Sequence, residues 1–397
     1  MKGNMSNGVT RVASGEGPAL GEGPRGVALH RVFPQFHWAM FAALTLACGS
    51  KAVNLDEPGA LIRSMDPNVL GIAHEQVTQI AVDDERLYWA GTREHTDGYF
   101  SSAVRSCEKE NCAATVVTYD ASHANYRASF GVHEGEVYWF HEDFQDTEVQ
   151  ALVACPVSGC VNAPRTIVAA APPGWSSVQA TFDDDGIYFS EEYVGVYRVG
   201  YAENAGEPRL VASFSGSPFA LAAQGDYLYW LERGESVAIR RTRKDGSQSP
   251  ELLARNLPIV VEYGSSDGAA PQGGFALDLE HFYWSQNGLA GSIQRCPLSG
   301  CVGAPEVVVP EAHAPAGLLL ADAQLYWAYR ADEGSYSLAK CELAACKPSD
   351  PLASGLATRN ALASDDRYLY ASTSETITDS PTSNWRGSSA AIRRFPK

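Results

Sequence analysis

Residues 79–90 read Gln79-Ile-Ala-Val-Asp-Asp-Glu-Arg-Leu-Tyr-Trp-Ala90. A small/apolar alternation, an acidic turn and a second alternation ending in Tyr88-Trp89 is the pattern of two antiparallel strands joined by a tight turn. The pattern returns. Aligned on the aromatic pair, seven copies follow one another at Tyr88-Trp89, Tyr138-Trp139, Tyr188-Phe189, Tyr229-Trp230, Tyr283-Trp284, Tyr326-Trp327 and Tyr370-Ala371, at intervals of 50, 50, 41, 54, 43 and 44 residues. An apolar stretch precedes each pair, such as Ile80-Ala-Val82, Phe130-Gly-Val132 and Phe275-Ala-Leu277, and an Asp/Glu/Gly turn lies between the two.

Each copy continues with a third strand ending near a basic or polar residue (Val104-Arg105, Ile239-Arg240, Ile392-Arg393), and each but the last with a fourth, apolar one (Thr166-Ile-Val168, Val307-Val-Val309). Four strands in 40 to 50 residues, repeated in tandem, predict one propeller blade per repeat. The phrase Leu-Tyr-Trp after an acidic turn resembles the YWTD blades of lipoprotein-receptor ectodomains and the TolB-type propellers of bacteria. That resemblance covers residues 68–397 as a pattern. The chain departs from it in two ways: Thr-Asp does not follow the Tyr-Trp pairs, and YWTD propellers have six blades. The seventh copy stops at Lys397 after its third strand, which would leave a bare edge. Val69-Leu-Gly-Ile72, just before the first copy, is the candidate to fill it. The expected fold is all-β: a seven-bladed β-propeller of four-stranded antiparallel blades, with the ring closed by an N-terminal strand completing the last blade. A six-bladed ring is the runner-up.

The domain reading is residues 1–48 as a signal region, 49–67 as a tether and 68–397 as the propeller. Arg31, an apolar run from Trp38 to Ala47 and the small residues around Cys48-Gly49-Ser50 make a secretory signal. The run is too short to span a bilayer as a helix. Ala47-Cys48 resembles the lipobox of bacterial lipoproteins, which implies lipidation of Cys48, and Gly49 after it resembles those sorted to the outer membrane. The length of the leader places the translation start near Val27. The expected location is outer-membrane or periplasmic, alternatively secreted, with membrane contact by a lipid anchor only.

Of nine cysteines, eight form four pairs of one spacing: Cys107/Cys112, Cys155/Cys160, Cys296/Cys301 and Cys341/Cys346. Local pairs at a fixed spacing in an exported chain read as disulfides, here across the turn between third and fourth strands. The alternative, a zinc site, would need four ligands meeting at one point, and the wide spacing of successive pairs along the chain disfavours it.

The chain has 30 Lys+Arg against 47 Asp+Glu, a formal net charge of −17. Such a balance offers nothing to neutralise phosphates, so nucleic acid is not the expected partner. No phosphate loop, nucleophile elbow, metalloprotease helix or EF-hand spacing is present in the sequence. Blade order puts the acidic turns and cysteine pairs on one face and the long, variable loops on the other, where a rigid scaffold usually binds its partners. The candidate binding face is His123, Tyr126, Asp143, Trp175, Glu191, Phe219, Tyr263, His313 and Arg359. The functional expectation is a monomeric, non-enzymatic binding or scaffold protein of the bacterial cell envelope, needing no cofactor and presenting an acidic loop face to a protein or small ligand. The alternative is a propeller hydrolase or lyase holding a divalent cation at the central channel, with His74, His123 and His313 near its mouth.

Overall fold

The computed structural model describes residues 69–73, 75–94, 100–122, 129–142, 150–160, 163–169, 179–191, 194–203, 205–213, 216–257, 274–286, 290–332, 335–347, 351–357, 361–375 and 389–397. These residues are almost entirely β, with one short 3-10 helix at Cys112–Ala114.

Strand β1 is Val69–Ala73. The first sheet is β2 (Gln76–Val82), β3 (Arg86–Glu94), β4 (Phe100–Glu108) and β5 (Val117–Ser122), in that order. The second is β6 (Phe130–His133), β7 (Glu136–Glu142), β8 (Gln150–Pro156) and β9 (Arg165–Val168). The third is β10 (Ala180–Asp183), β11 (Gly186–Glu191), β12 (Gly195–Val199) and β13 (Arg209–Ser213). The fourth is β14 (Ser217–Gln224), β15 (Tyr227–Arg233), β16 (Val237–Arg243) and β17 (Glu251–Leu257). The fifth is β18 (Phe275–Leu277), β19 (His281–Gln286), β20 (Ser292–Pro297) and β21 (Glu306–Val309).

The remaining strands form one eight-stranded sheet. It contains β22 (Ala316–Ala321), β23 (Gln324–Asp332), β24 (Ser335–Glu342) and β25 (Ala353–Leu356), then β26 (Leu362–Ser364), β27 (Tyr368–Glu375), β28 (Ser389–Pro396) and β1. Its two halves meet at a single bridge, Leu356 against Thr373. The N-terminal strand therefore pairs antiparallel with the C-terminal one, with Val69 opposite Arg393 and Ile72 opposite Ala391. The edge that the last repeat would leave bare is occupied.

The aromatic dipeptide explains how sheets pack. Successive residues of a strand point to opposite sides. Tyr88 packs with Phe130, Val137 and Trp139 of the second sheet. Trp89 packs on the other side, with Tyr370 and Ile392 at the C-terminus. The same exchange joins Tyr138 to Phe189, Tyr188 to Trp230, Tyr229 to Trp284 and Tyr283 to Trp327. Each pair thus serves two interfaces, and all five tryptophans of the repeat are fully buried. In the last copy Ala371 stands in the aromatic slot, beside Leu356.

Inner strands of successive sheets are neighbours from β6 through β10, β14, β18 and β22 to β26, and β26 neighbours β2. Gln79 on β2 joins β6, its Nε2 donating to the Phe130 carbonyl at 2.9 Å and its Oε1 accepting from the Phe130 N–H at 3.3 Å.

Candidate functional site

The acidic turns come first, because they are the most conspicuous charge in the sequence. Asp83 Oδ1 accepts the backbone N–H groups of Glu85 and Arg86 at 2.9 and 2.7 Å, and Oδ2 accepts the Tyr88 hydroxyl at 2.6 Å. Asp278 repeats this with Glu280, His281 and Tyr283, and Asp365 with Arg367, Tyr368 and Tyr370. An aspartate that satisfies its own turn and a tyrosine five residues on is a fold element. Burial and the adjacent Asp278 push the Tyr283 phenol up to about 12. Burial alone would raise the Asp365 carboxyl, but hydrogen bonds from Lys109, Tyr370 and two backbone N–H groups hold it well below the usual carboxylate range.

The turn between third and fourth strands sits beside the acidic turn of the same sheet. Lys109, Val157, Lys244, Leu298, Leu343 and Lys397 donate their N–H groups to carbonyls of Glu85, Gly135, Asp226, Glu280, Ala323 and Arg367. This equivalent position reaches toward the preceding sheet. Lys109 Nζ bonds Asp365 Oδ2 at 2.6 Å and the Asp83 carbonyl at 2.8 Å. Lys244 pairs with Asp183 and, at 3.2 Å, with Asp185. Lys397 pairs with Asp322 at 2.5 Å. Where the residue is apolar, as at Val157, Leu298 and Leu343, it packs against the intersheet cluster. Four disulfides close these turns, Cys107–Cys112, Cys155–Cys160, Cys296–Cys301 and Cys341–Cys346, each with Cα atoms 4.7–5.2 Å apart. In every case the reaching residue lies two positions after the first cysteine.

The opposite end of the sheets carries a different chemistry. Glu75, just before β2, accepts the Trp89 indole N–H at 2.8 Å and pairs with Arg105. Both charged groups are buried. Glu75 fits because Gly91 has no side chain: a Cβ there would lie 2.4 Å from the Glu75 carboxyl carbon. In the fourth sheet Glu232 accepts the Trp230 indole at 3.0 Å and Arg240 Nε at 2.7 Å. In the fifth, Gln294 Nε2 donates to Gln286 Oε1 at 2.9 Å, and in the last Arg393 Nε donates to Thr373 Oγ1 at 3.1 Å. In the third, Glu191 is 6% exposed and one of its oxygens, Oε2, has no partner among the described residues. Burial and the Glu191 carboxylate raise the Tyr197 phenol beside it.

These polar groups recur at one position, two residues beyond the second aromatic of each pair, occupied by Gly91, His141, Glu191, Glu232, Gln286, Tyr329 and Thr373. The repeat alignment contains that column, but its most buried pair, Glu75 with Arg105, lies outside it in sequence.

Of the residues singled out from sequence, Glu191 ends β11 and is buried where a loop position was expected. Phe219 departs from expectation. A bulge between Pro218 and Ala220 turns its ring into the packing of the fourth and fifth sheets, where it is 3% exposed and not available to a ligand. His313 is exposed, with a left-handed backbone (φ 51°), and its carbonyl accepts the Arg330 N–H at 3.0 Å. Cys48, His74, His123, Tyr126, Asp143, Trp175, Tyr263 and Arg359 lie outside the described residues.

No protein-family model matches the sequence, and no curated protein is significantly similar to it. Solved structures do resemble it. The β-propeller domain of the Trilobed protease from Pyrococcus furiosus aligns over 76% of this chain and 90% of its own, at TM-score 0.50 and 10% identity. The chain is a β-propeller. A puromycin-hydrolysing peptidase of Mycobacterium tuberculosis aligns at TM-score 0.54 and 15% identity, over 86% of this propeller's chain and 54% of the peptidase chain, so the chain spans about half of that protein. The Pyrococcus domain is described as having an open Velcro topology; here β1 pairs antiparallel with residues 390–393 of β28. Among the described residues of the propeller, no three His, Cys, Asp or Glu side chains meet as metal ligands would.

Proposed function

We propose that the chain is a seven-bladed propeller that binds a partner without catalysing a reaction, exported to the bacterial cell envelope and held there by a lipid on Cys48. One observation carries the binding reading: the recurring turn-end residues pack and bond between neighbouring sheets, whereas the polar column at the loop end changes from blade to blade. At the turn end Asp83, Asp278 and Asp365 each hold a tyrosine hydroxyl, and Lys109 and Lys244 each pair with an aspartate. At the loop end the equivalent position changes chemistry from blade to blade, as Glu191, Glu232, Gln286 and Thr373. A scaffold whose constant parts build the ring and whose variable parts crown one mouth is the usual plan of a binding propeller.

Seven tandem repeats, and the succession of neighbouring inner strands that returns from β26 to β2, support seven blades over six. Four disulfides support a location outside the reducing cytoplasm. The loops expected to meet the partner are acid-rich, with Glu142, Asp143, Asp146 and Glu148 in one of them, which favours a cationic patch on a protein or small ligand.

The test is capture from envelope extracts with the mature chain, beside a variant with Glu142, Asp143, Asp146 and Glu148 all neutralised to Gln or Asn. The expected result is a component retained by the parent chain, released by salt and absent with the variant. Capture that ignores both salt and the variant would overturn the acidic-face reading. A stoichiometric divalent cation on elemental analysis would overturn the non-enzymatic reading in favour of the hydrolase or lyase alternative. Mass spectrometry of the native N-terminus decides the anchor, and an unmodified peptide running through Cys48 would exclude it.

A further inference from the structure

We propose that the Cys107–Cys112 turn is an oxidation-dependent clasp on the junction between the two ends of the propeller chain. That junction is built differently from the others. The last blade is completed by β1, a strand from the opposite end of the chain, and only hydrogen bonds and side-chain packing join it to β28. The clasp turn lies over this place. Cys107 and Cys112 are themselves buried in the cluster that contains Leu70 of β1, Tyr370 of β27 and Ile392 of β28.

Between the two cysteines stand the residues that reach across. Lys109 Nζ ties Asp365 of the last blade to the Asp83 carbonyl of the first. Its neighbour Glu110 lies 3.8 Å from Arg394 on β28. The other three disulfide turns carry Val157, Leu298 or Leu343 at the reaching position, and each packs against an interface that the chain already crosses in sequence. A five-residue separation between bonded cysteines holds the intervening Lys109 in one place. Without the bond the turn gains conformations in which Lys109 and Glu110 point to solvent, and the charge pairs are then too exposed to hold the junction.

The chemistry is ordinary thiol–disulfide exchange. A dithiol reductant gives two electrons to the S–S bond, its two thiol protons pass to the Cys107 and Cys112 sulfurs, and it leaves as its own cyclic disulfide; oxidation runs the reverse. In a reducing compartment the blades can form while the junction stays loose, and oxidation fixes it.

The test is hydrogen exchange with peptide resolution on the full chain. The variant Cys107→Ala/Cys112→Ala is compared with Cys296→Ala/Cys301→Ala, which removes a disulfide of equal span elsewhere. In the first, peptides over Val69–Ala73 and Ser389–Pro396 are expected to exchange at least about tenfold faster, while those over β14 to β19 keep their protection. In the second, the pattern reverses. Unchanged junction peptides in the first variant, or equal loosening of them in the second, would overturn the proposal. Should the first variant fail to fold, the native oxidised protein is partially reduced with dithiol. Molecules alkylated only at Cys107 and Cys112 are then read for the same peptides, with the same two outcomes.

Discussion

At the scale of single residues, three of the acidic turns join an aspartate to a tyrosine five residues on. Asp365 is the most heavily engaged copy, accepting two backbone N–H groups, the Tyr370 hydroxyl and Lys109. Asp365→Asn keeps an acceptor for the turn and loses the charge. It is expected to cost about 1–3 kcal/mol at neutral pH, read from urea denaturation. The pH dependence follows from the depressed carboxyl of the folded state. A group with a folded pKa below its unfolded value of about 3.9 stabilises above that value and loses the contribution as pH falls through the folded one. The gap between parent and variant should therefore be constant at neutral pH and close progressively below about pH 4. A gap that persists unchanged into acid would mean the carboxylate charge is not what stabilises the turn.

At the scale of strands and sheets, the Tyr-Trp dipeptide sets what each interface can hold. Its strand alternation sends one ring to each neighbour, which is legible in the sequence because the period of a strand is two. The turns, the third and fourth strands and the cysteine pairs were legible for similar reasons, since each is a local pattern repeated several times. The polar pairs of the loop end were not. Arg105 looks like any strand-ending basic residue, and Glu75 precedes the first strand of the first blade. Only the missing side chain of Gly91 brings the two together under Trp89. Phe219 misled for a related reason, because one bulge reverses which side of a strand a residue faces. The last copy tests the packing rule. Restoring the repeat with Ala371→Trp looks like an improvement, yet Leu356 and the β25 bridge to Thr373 already occupy that side. The substitution is expected to destabilise by about 1–3 kcal/mol through overpacking, whereas Trp139→Ala should cost about 3–5 kcal/mol through a cavity. Thermal denaturation of both variants distinguishes the cases, and a stabilised Ala371→Trp would show that the slot is vacant.

At the scale of the whole molecule, the pairing of β1 with β28 makes the first and last described strands one structural element. Removing residues 1–73 leaves seven copies of the repeat intact but bares the β28 edge. An exposed strand edge is a template for pairing with another chain. The truncated protein is expected to elute as dimers or larger species in size-exclusion chromatography, and a stable monomer would show that β1 is dispensable. The tandem architecture was legible at this scale from the aromatic spacing alone, and β1 could be found because the seventh copy stops one strand short. The loop-end crown was legible only as a list of acids and aromatics, because which loop meets which depends on contacts distant in sequence.

The partnership of β1 and β28 also imposes an order of events. A ribosome makes β1 before every other described strand and β28 after all of them, so the first must wait unpaired until the last has emerged. Every intermediate blade can consolidate against its predecessor in the meantime, since those contacts are near in sequence and quick to form. The final pairing is the most distant in the chain and comes at the end, so a chain cut short anywhere is betrayed by an unclaimed strand at its own beginning.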